Sequence, residues 1–484
     1  MIEKIEDMAV FCKKKGFVFP SSEIYGGFAG FWDYGPLGVE LFNSIKQHWW
    51  KFFVQDRENM EGIDASIISH PRTWKASGHI ASFADISVQC KKCKKSSHLD
   101  KADLGKVKCE FCGGELDEKT AKEMKLLFST QVGPDQGVTA FMRGETAQGM
   151  FLDFKAITNT ARVKLPFGIV QVGKCFRNEV APRDFLFRDR EFTIGELEFF
   201  IHPDENKCPD LAKEHLNLHV RLLDKETQEE GKTELKKSTI GKMLDEKRLG
   251  EWHAYWLAEQ VMWFRELGLD LNKIKIREHK KSELSHYSSA TFDLDYEYPF
   301  GSKEIAGNAN RGQYDLTQHI NESKEDLSIF DEETKKKVVP KVIEPTFGMD
   351  RVFLAVLCDA YNYDKERGNI VLKLPKKIAP VKIGVFPLVN KDKIPELSQE
   401  IFNSLKKEFT AQYDKSGSIG RRYARADEIG IPYCITIDFD SIEKKDATIR
   451  DRDTTEQVRV KISELKETLR KLIAGEISFK ELKN

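Results

Sequence analysis

The sequence predicts an α+β protein followed by a separate α/β unit, on three observations. Residues 169–176 and 191–201 are rich in Val, Ile, Phe and Thr and read as two strands joined by a charged loop. The amphipathic helix EWHAYWLAEQVMWFRELGL, closed by Gly268, is followed by three strand-like segments, KIKIREH, ATFDLDYEYPF and GQYDLTQHI. From about Pro380, strands and helices alternate, as in an independent α/β domain. At 484 residues of ordinary apolar content, the chain can bury a large core in roughly two to four domains.

The charged hairpin holds the first chemical signal. Its loop carries Arg177, Arg183 and Arg188, and Arg190 opens its second strand. Period-two alternation puts Arg190 on the same face as Glu196 and Glu198, so one face bears both signs of charge. Guanidinium forks match phosphate oxygens and a nearby carboxylate can hold an ammonium. The hairpin therefore suits a phosphorylated ligand beside an amine, as ATP and an amino acid would be. An edge hairpin whose charges only discourage aggregation is the alternative.

Composition narrows the field. Lys plus Arg number 77 against 78 Asp plus Glu, so any nucleic-acid surface must be a local patch. No apolar run reaches spanning length, and the N-terminus lacks a signal peptide's uninterrupted apolar region. These features predict a soluble, cytoplasmic protein with no membrane partner. There is no internal repeat. Nine cysteines in so long a chain make no disulfide scaffold. Cys90-Lys-Lys-Cys93 and Cys109-Glu-Phe-Cys112 are separated by fifteen residues, the spacing of a four-cysteine zinc ribbon, and Gly113-Gly114 permits a tight knuckle. Four thiolates with no open position predict structural zinc. The surrounding lysines suit either a nucleic-acid backbone or water.

Along the rest of the chain, residues 3–15 predict a short helix broken by Gly16. Gly35-Pro36 then precedes a helix from about Leu37, with Leu41, Ile45, His48, Trp49 and Phe52 at helical spacing. The tryptophan pair at its end suits a core or a subunit interface. A strand ended at Pro71 and a short helix follow, where His70 and His79 read as structural. Glu145 lies between a strand and a helix from about Thr146, which it would cap. Residues 203–250 are rich in Lys and Glu with little apolar periodicity and predict a helical surface insertion. The strand through Glu344 runs into a helix near Met349, where Gly348 lets backbone approach a ligand and Arg351 can reach a phosphate or a base.

FRNE with the later FRDREF resembles motif 2 of the class II aminoacyl-tRNA synthetases, GMDR with its helix resembles motif 3, and the Pro71 stretch resembles motif 1. Within that class, GFWDYGPLGVELFNSIKQHWW, the SGH after Pro71, MRGETAQGMF and EPTFGMDR resemble the single-chain dimeric glycyl-tRNA synthetases, over nearly the whole chain. The resemblance implies an antiparallel-sheet catalytic domain at 1–88 and 121–375, with a zinc-ribbon-like insertion at 89–120, the helical insertion at 203–250 and an anticodon-binding domain at 380–484. It implies a homodimeric ligase that activates glycine with ATP and magnesium and passes the glycyl group to tRNA(Gly).

The same resemblance implies roles. Arg177, Arg351 and Glu304 would be catalytic. Arg177 and Glu179 would bind the α-phosphate and adenine, Phe192 would stack on the base with Arg351 over its other side, Arg188 and Arg190 would meet phosphates, and Glu304 would help hold magnesium. Asn178, Phe187, Asp189, Glu191, Ile305, Gly348, Met349 and Asp350 would complete the ATP site. Glu145, Glu196, Glu344 and Thr346 would line the glycine site, with Arg311 facing the carboxylate. Phe192, Thr193, Ile194, Gly195, Pro345, Phe347 and Gly348 would surround them. Many members carry Ser where Thr346 stands. Arg421, Arg422 and Arg425, beside Gly417 and Gly420, form a basic loop suited to RNA backbone or anticodon bases, or simply to water. A synthetase for another amino acid and a non-catalytic nucleic-acid-binding relative are the rival readings. The joint presence of Arg177, Glu179, Arg188, Glu304 and Arg351 opposes the second, since a binding module has no use for an ATP site.

Overall fold

The structure is a computed structural model describing residues 2–82, 84–99, 104–105, 107–134, 137–285 and 287–483. Nine strands build its central sheet: β1 (Met60–Gly62), β2 (Phe167–Phe176), β3 (Glu191–Ile201), β4 (His219–Leu223), β5 (Lys236–Thr239), β6 (Ile274–Glu278), β7 (Ala290–Tyr298), β8 (Gly301–Gly312) and β9 (Lys341–Gly348). Their order is β5-β4-β6-β7-β8-β9-β3-β2-β1, and only β4–β6 and β1–β2 pair in parallel. The charged hairpin is β2–β3, in register through Gln171↔Glu196 and Cys175↔Phe192. On its other edge β3 meets β9 through Glu196↔Thr346, and β9 meets β8 through Ala309↔Glu344.

Residues directly opposite share a face, and the period of two then sorts each strand into two sets. Phe192, Ile194, Glu196, Glu198, Glu344 and Thr346 lie on one face, and Gly195, Leu197, Phe199, Pro345 and Phe347 on the other. Helices α1 (Pro36–Trp50), α2 (Ala147–Leu152), α3 (Glu251–Leu267), α4 (Tyr314–Ser323) and α5 (Met349–Ala360) pack around the sheet. The Phe347 ring lies 5.7 Å from Trp49 and 5.1 Å from Trp263, and Phe199 lies 4.9 Å from Trp256. Each such buried side chain contributes about 1.5–3 kcal/mol. Trp49 is thus a core residue, while half-buried Trp50 packs its ring on Gly62. Helix α1 starts with Pro at its first turn, where the missing N–H leaves nothing unsatisfied. Helix α3 ends on Gly268 at φ 92.

Two expected elements differ. The stretch 203–250 is not simply helical: β4 and β5 extend the sheet edge, beside the short helices Lys213–Leu216, Lys225–Glu229 and Ile240–Asp245. Val220 and Leu222 alternate into the core while Arg221 donates to Ile274 O at 3.0 Å, a short period of two inside a segment read as helical. GQYDLTQHI is not a strand but supplies the start of α4. There Leu316 packs with Phe151 and Met150 of α2 while Asp315 and His319 are also buried, a helical spacing too short to recognise against Tyr and Thr.

The C-terminal unit has its own sheet, β10 (Ile383–Pro387), β11 (Ala411–Tyr413), β12 (Tyr433–Ile437), β13 (Asp446–Asp451) and β14 (Gln457–Lys461), in the order β11-β10-β12-β13-β14. Ile383, Val385, Ile435, Ile449 and Leu469 form a separate core there. Arg452 donates to Leu374 O at 2.9 Å and Arg367 pairs with Asp427 at 3.2 Å, tying the unit to the rest. The cysteine module is a three-stranded sheet of Ser96–Leu99, Ala84–Cys90 and Leu116–Lys125. Among the described residues no helix is long and apolar enough to cross a membrane.

A Cβ at Gly38 would collide with the backbone oxygen of Phe17, which has no side-chain freedom to yield. Gly38→Ala is therefore expected to destabilise the unit built on the nine-stranded sheet by at least about 2 kcal/mol, the cost of overpacking a rigid contact, as read by urea denaturation.

Candidate active site

The open face of β3, β8 and β9 brings two charge systems together. The first is a cleft lined by Arg177, Glu179, Phe187, Arg188, Phe192, Glu304, Thr346 and Arg351, with Leu186, Asp189, Thr193, Ile194, Gly348 and Asp350 beneath and beside them. Arg177 donates from Nε to Gly144 O at 3.1 Å, and its guanidinium stands 5.4 Å from the Phe192 ring. Arg188 donates to Glu179 Oε2 at 2.7 Å, and Arg190 donates to Glu179 O at 2.8 Å. Arg351 donates to Phe187 O at 3.2 Å and Glu304 O at 3.0 Å, lies 3.3 Å from the Glu304 carboxylate, and covers the Phe187 ring at 4.4 Å. The Arg351–Glu304 pair is open to water and weakly held, so it can exchange a carboxylate for phosphate. At the rim, Glu191 pairs with Lys174 at 3.2 Å and the Asn178 N–H donates to Leu126 O at 2.7 Å.

Beneath the cleft, Asp189 and Asp350 act as ties. Trp32 Nε1 donates to Asp189 at 2.9 Å. Tyr34 Oη and the Thr193 N–H each donate to Asp350 at 2.5 Å. Burial raises the Asp350 carboxyl above its ordinary range. Burial and the neighbouring Asp350 push Asp189 up to about 8.

The second system is a buried acidic pocket. Carboxylate oxygens of Glu196, Glu198 and Glu344 lie within 4.8 Å of one another. Glu196 accepts from Thr146 N at 3.0 Å, Thr146 Oγ1 at 2.5 Å and Thr346 Oγ1 at 3.2 Å. Glu145 accepts from Gln148 at 3.0 Å and lies 3.2 Å from His79 Nε2. Burial alone would raise Glu145, but His79, Arg311 and Gln148 outweigh it and hold its carboxyl below the ordinary range. Glu344 is pushed up by burial and by Glu196 and Glu145, against the pull of Arg311. Glu198 is fully buried, with no hydrogen-bond partner for either oxygen among the described residues, and is raised by burial and then by Glu344. Like carboxylates this close resist shared ionisation, so the pocket favours a proton or a cation.

Several expected site residues sit elsewhere. Arg311 does not face an open pocket: fully buried, it donates to Asp315 at 2.7 and 2.8 Å and to Glu344 at 2.5 Å, with Tyr287 3.9 Å beneath it. It is the pocket's internal counter-charge. Gly195, Pro345 and Phe347 fall by the period of two on the opposite face, which packs against α1 and α3, and Met349 and Ile305 are fully buried in the core. Sequence reasoning also missed partners. Alternation places Glu198 on the face of Glu196 but gives it no role in the pocket, and Asp315 lies in the stretch expected to be a strand. His79 looked structural, and its contact with Glu145 depends on folding.

The four cysteines converge. Cys90 Sγ and Cys112 Sγ are 3.6 Å apart, as are Cys93 Sγ and Cys109 Sγ, and all four lie within 4.8 Å. Zinc–sulfur bonds of about 2.3 Å set tetrahedral sulfur–sulfur edges near 3.8 Å, so this donor set fits the ion. In the C-terminal unit the expected basic loop is instead the helix α6 (Ile419–Glu428). Arg421 is exposed, but Arg422 turns inward to the carbonyls of Pro387 and Leu388, and Arg425 pairs with Asp414 at 2.5 Å. Helical spacing puts 421 and 425 outward and 422 inward with Ala426.

Residues 142–361 match the tRNA synthetase class II core domain (G, H, P, S and T), and residues 382–472 match the anticodon binding domain. The antiparallel sheet with its arginine cleft is thus the core of a class II synthetase. Glycine–tRNA ligases of Treponema denticola (40% identical over 474 residues, 95% of either chain), Caldanaerobacter subterraneus subsp. tengcongensis (42% over 491, 95% of this chain and 96% of the relative) and Bacillus anthracis (42% over 499, 97% and 99%) are similar along nearly their whole length. The chain belongs to the glycine–tRNA ligase family.

The Asp189 carboxyl yields a pH prediction. Its raised folded value means that the folded chain keeps a proton the unfolded chain has lost, so its contribution is full below about pH 4 and disappears as pH rises through about 8. Asp189→Asn keeps the Trp32 acceptor and removes the titration. Its stability relative to the parent should therefore rise between pH 5 and 8, by no more than about 1.4 kcal/mol per pH unit, in denaturation curves taken across that range. Parallel pH profiles for the two proteins would contradict the assignment.

Proposed function

We propose that this chain joins glycine to tRNA(Gly) in two steps at the cleft and its adjoining pocket. First, an oxygen of the glycine carboxylate attacks the α-phosphorus of ATP, the bond to the β-phosphate breaks, and pyrophosphate leaves. Second, a hydroxyl of the terminal ribose of tRNA attacks the acyl carbon, and AMP leaves. No side chain serves as nucleophile. Positioning and charge stabilisation supply the rate.

Arg177 and Arg351 would exchange their present carbonyl and carboxylate partners for phosphate and base, with Phe192 under the adenine and Glu179 orienting Arg188. Glu304 offers a hard oxygen donor suited to magnesium, which would neutralise phosphate charge. Glu145, Glu196 and Glu344 would surround the ammonium. The observation that carries this reading is Thr346: it lines the arginine cleft while its hydroxyl donates to Glu196 at 3.2 Å, so the phosphate and ammonium sites share a wall. With glycine seated there, that wall would occupy the space a β-methyl needs. An attractive pocket separates substrates differing by one methylene by about 1–3 kcal/mol, and a steric wall discriminates further.

Around this centre we assign structural zinc to the four cysteines and tRNA contact to Arg421 and Arg425. Exposed Ile67, Ile68 and Ile80 beside the Pro71 stretch support a homodimer, and the enzyme would work in the cytoplasm. Pyrophosphate exchange with each amino acid in turn tests the reading: glycine should drive it, and exchange with another amino acid, or with none, overturns it.

Two further outcomes are expected. Thr346→Gly should raise exchange with alanine relative to glycine, and an unchanged ratio would show that Thr346 is not the wall. Metal analysis should find about one zinc per chain, lost in Cys109→Ala with ATP–glycine chemistry largely kept, because the four cysteines lie outside the cleft. Equal metal content in both proteins would contradict the assignment.

A further inference from the structure

The most exposed large apolar side chains among the described residues are Tyr25 at 88%, Ile24 at 87% and Phe28 at 77%, all in the loop 23–31. This loop is built, not slack. Tyr25 N donates to Ser22 O at 2.9 Å, Gly26 N to Glu23 O at 3.0 Å and Gly27 N to Ser22 O at 3.1 Å, with Gly26, Gly27 and Gly30 at φ 87, 60 and 78. Only glycine takes such angles without strain, so the turns hold the aromatic rings outward.

The loop is fastened to the rim of the cleft. Arg190 donates from its backbone to Gly30 O and from Nη1 to Ala29 O, each at 2.9 Å. A Cβ on Gly30 would stand 2.8 Å from the Pro182 ring, at the tip of the β2–β3 loop. The next residue, Arg183, pairs with Glu110 of the cysteine module at 2.9 Å, where Lys95 lies over half-exposed Phe111. One loop tip therefore joins two surfaces that carry outward aromatics, one of them beside lysines.

We infer that the loop 23–31 is a stacking platform for the unpaired 3′-terminal bases of tRNA, with Tyr25 and Phe28 beneath them. The inference rests on the reading above: the terminal ribose must reach the cleft, so the nucleotides behind it must cross its rim. Aromatic side chains bind the π-faces of unpaired bases whatever their identity, and basic groups nearby track the backbone. A monomeric surface seldom leaves such side chains uncovered without a partner. The shared rim with the arginine cleft selects the nucleic-acid end over a second copy of the chain.

The test is the double variant Tyr25→Ala, Phe28→Ala in the full-length protein. Glycine-dependent pyrophosphate exchange, which needs no tRNA, should stay within about twofold, while kcat/KM for charging tRNA falls roughly tenfold or more. Affinity for tRNA trimmed of its last four nucleotides should be equal for parent and variant, and Tyr25→Trp, Phe28→Trp should restore charging. Charging left intact, exchange falling in step with charging, or a change in oligomeric mass would each overturn the platform. A parent protein that performs exchange but charges no tRNA would instead overturn the functional reading, and the platform with it.

Discussion

The rest of the site depends on an imbalance of buried charge. Arg311 supplies one full positive charge, shared by Asp315, Glu344 and, at 3.7 Å, Glu145, while Glu196 and Glu198 crowd the same space. A guanidinium this deep is tolerable only because it is paired on both edges and stacked on Tyr287, and removing it would strand the carboxylates. The pocket still holds more potential negative charge than Arg311 can cancel. Burial and mutual repulsion raise the Glu198 and Glu344 carboxyls, so a proton can relieve part of this. On the proposed reading an arriving ammonium would relieve the rest, and the selectivity of the pocket for a cation would be electrostatic before it is a matter of shape.

The sheet converts this imbalance into chemistry. Because β3 and β9 are adjacent and antiparallel, Glu196 and Thr346 stand opposite one another, with Phe192 and Ile194 leading up the same face toward the arginines. The opposite face, with Gly195, Phe347 and their aromatic neighbours, fixes this arrangement against α1, α3 and α5. The lack of a side chain at Gly195 lets Met349 and Trp49 approach the strand to near-contact distance. Packing on one face thus sets the precision of the charges on the other, and Asp350 locks the two together by binding both Tyr34 and the Thr193 backbone.

Much of this was legible in the sequence, for local reasons. The strands β2 and β3 announced themselves by β-branched and aromatic residues, the helix after Gly348 by its apolar spacing, and the cysteine knuckles by two pairs at a fixed separation. What stayed hidden was non-local or short. Arg311 looked like a ligand residue because its acidic partners come from distant Glu145 and Glu344 and from Asp315, in a helix whose spacing was masked by polar residues. Arg422 looked like part of a basic loop, since nothing in sequence says which side of a helix three arginines will share. The strands of 203–250 were too short for two alternating apolar residues to outweigh a run of Lys and Glu. Phe347 and Gly195, inside motifs that mark the site, were assigned to it although alternation alone places them on the far face.

The central claim is that the ammonium is held by the carboxylate pocket, and the most direct measurement compares glycine with glycolate, which replaces the ammonium by a hydroxyl and is otherwise alike. Thermal denaturation with a non-hydrolysable ATP analogue present should show a rise in midpoint with saturating glycine and little or none with glycolate, since a ligand stabilises only in proportion to its binding. Equal stabilisation by the two would contradict the account, for it would mean that the pocket of Glu145, Glu196 and Glu344 is not what holds the substrate.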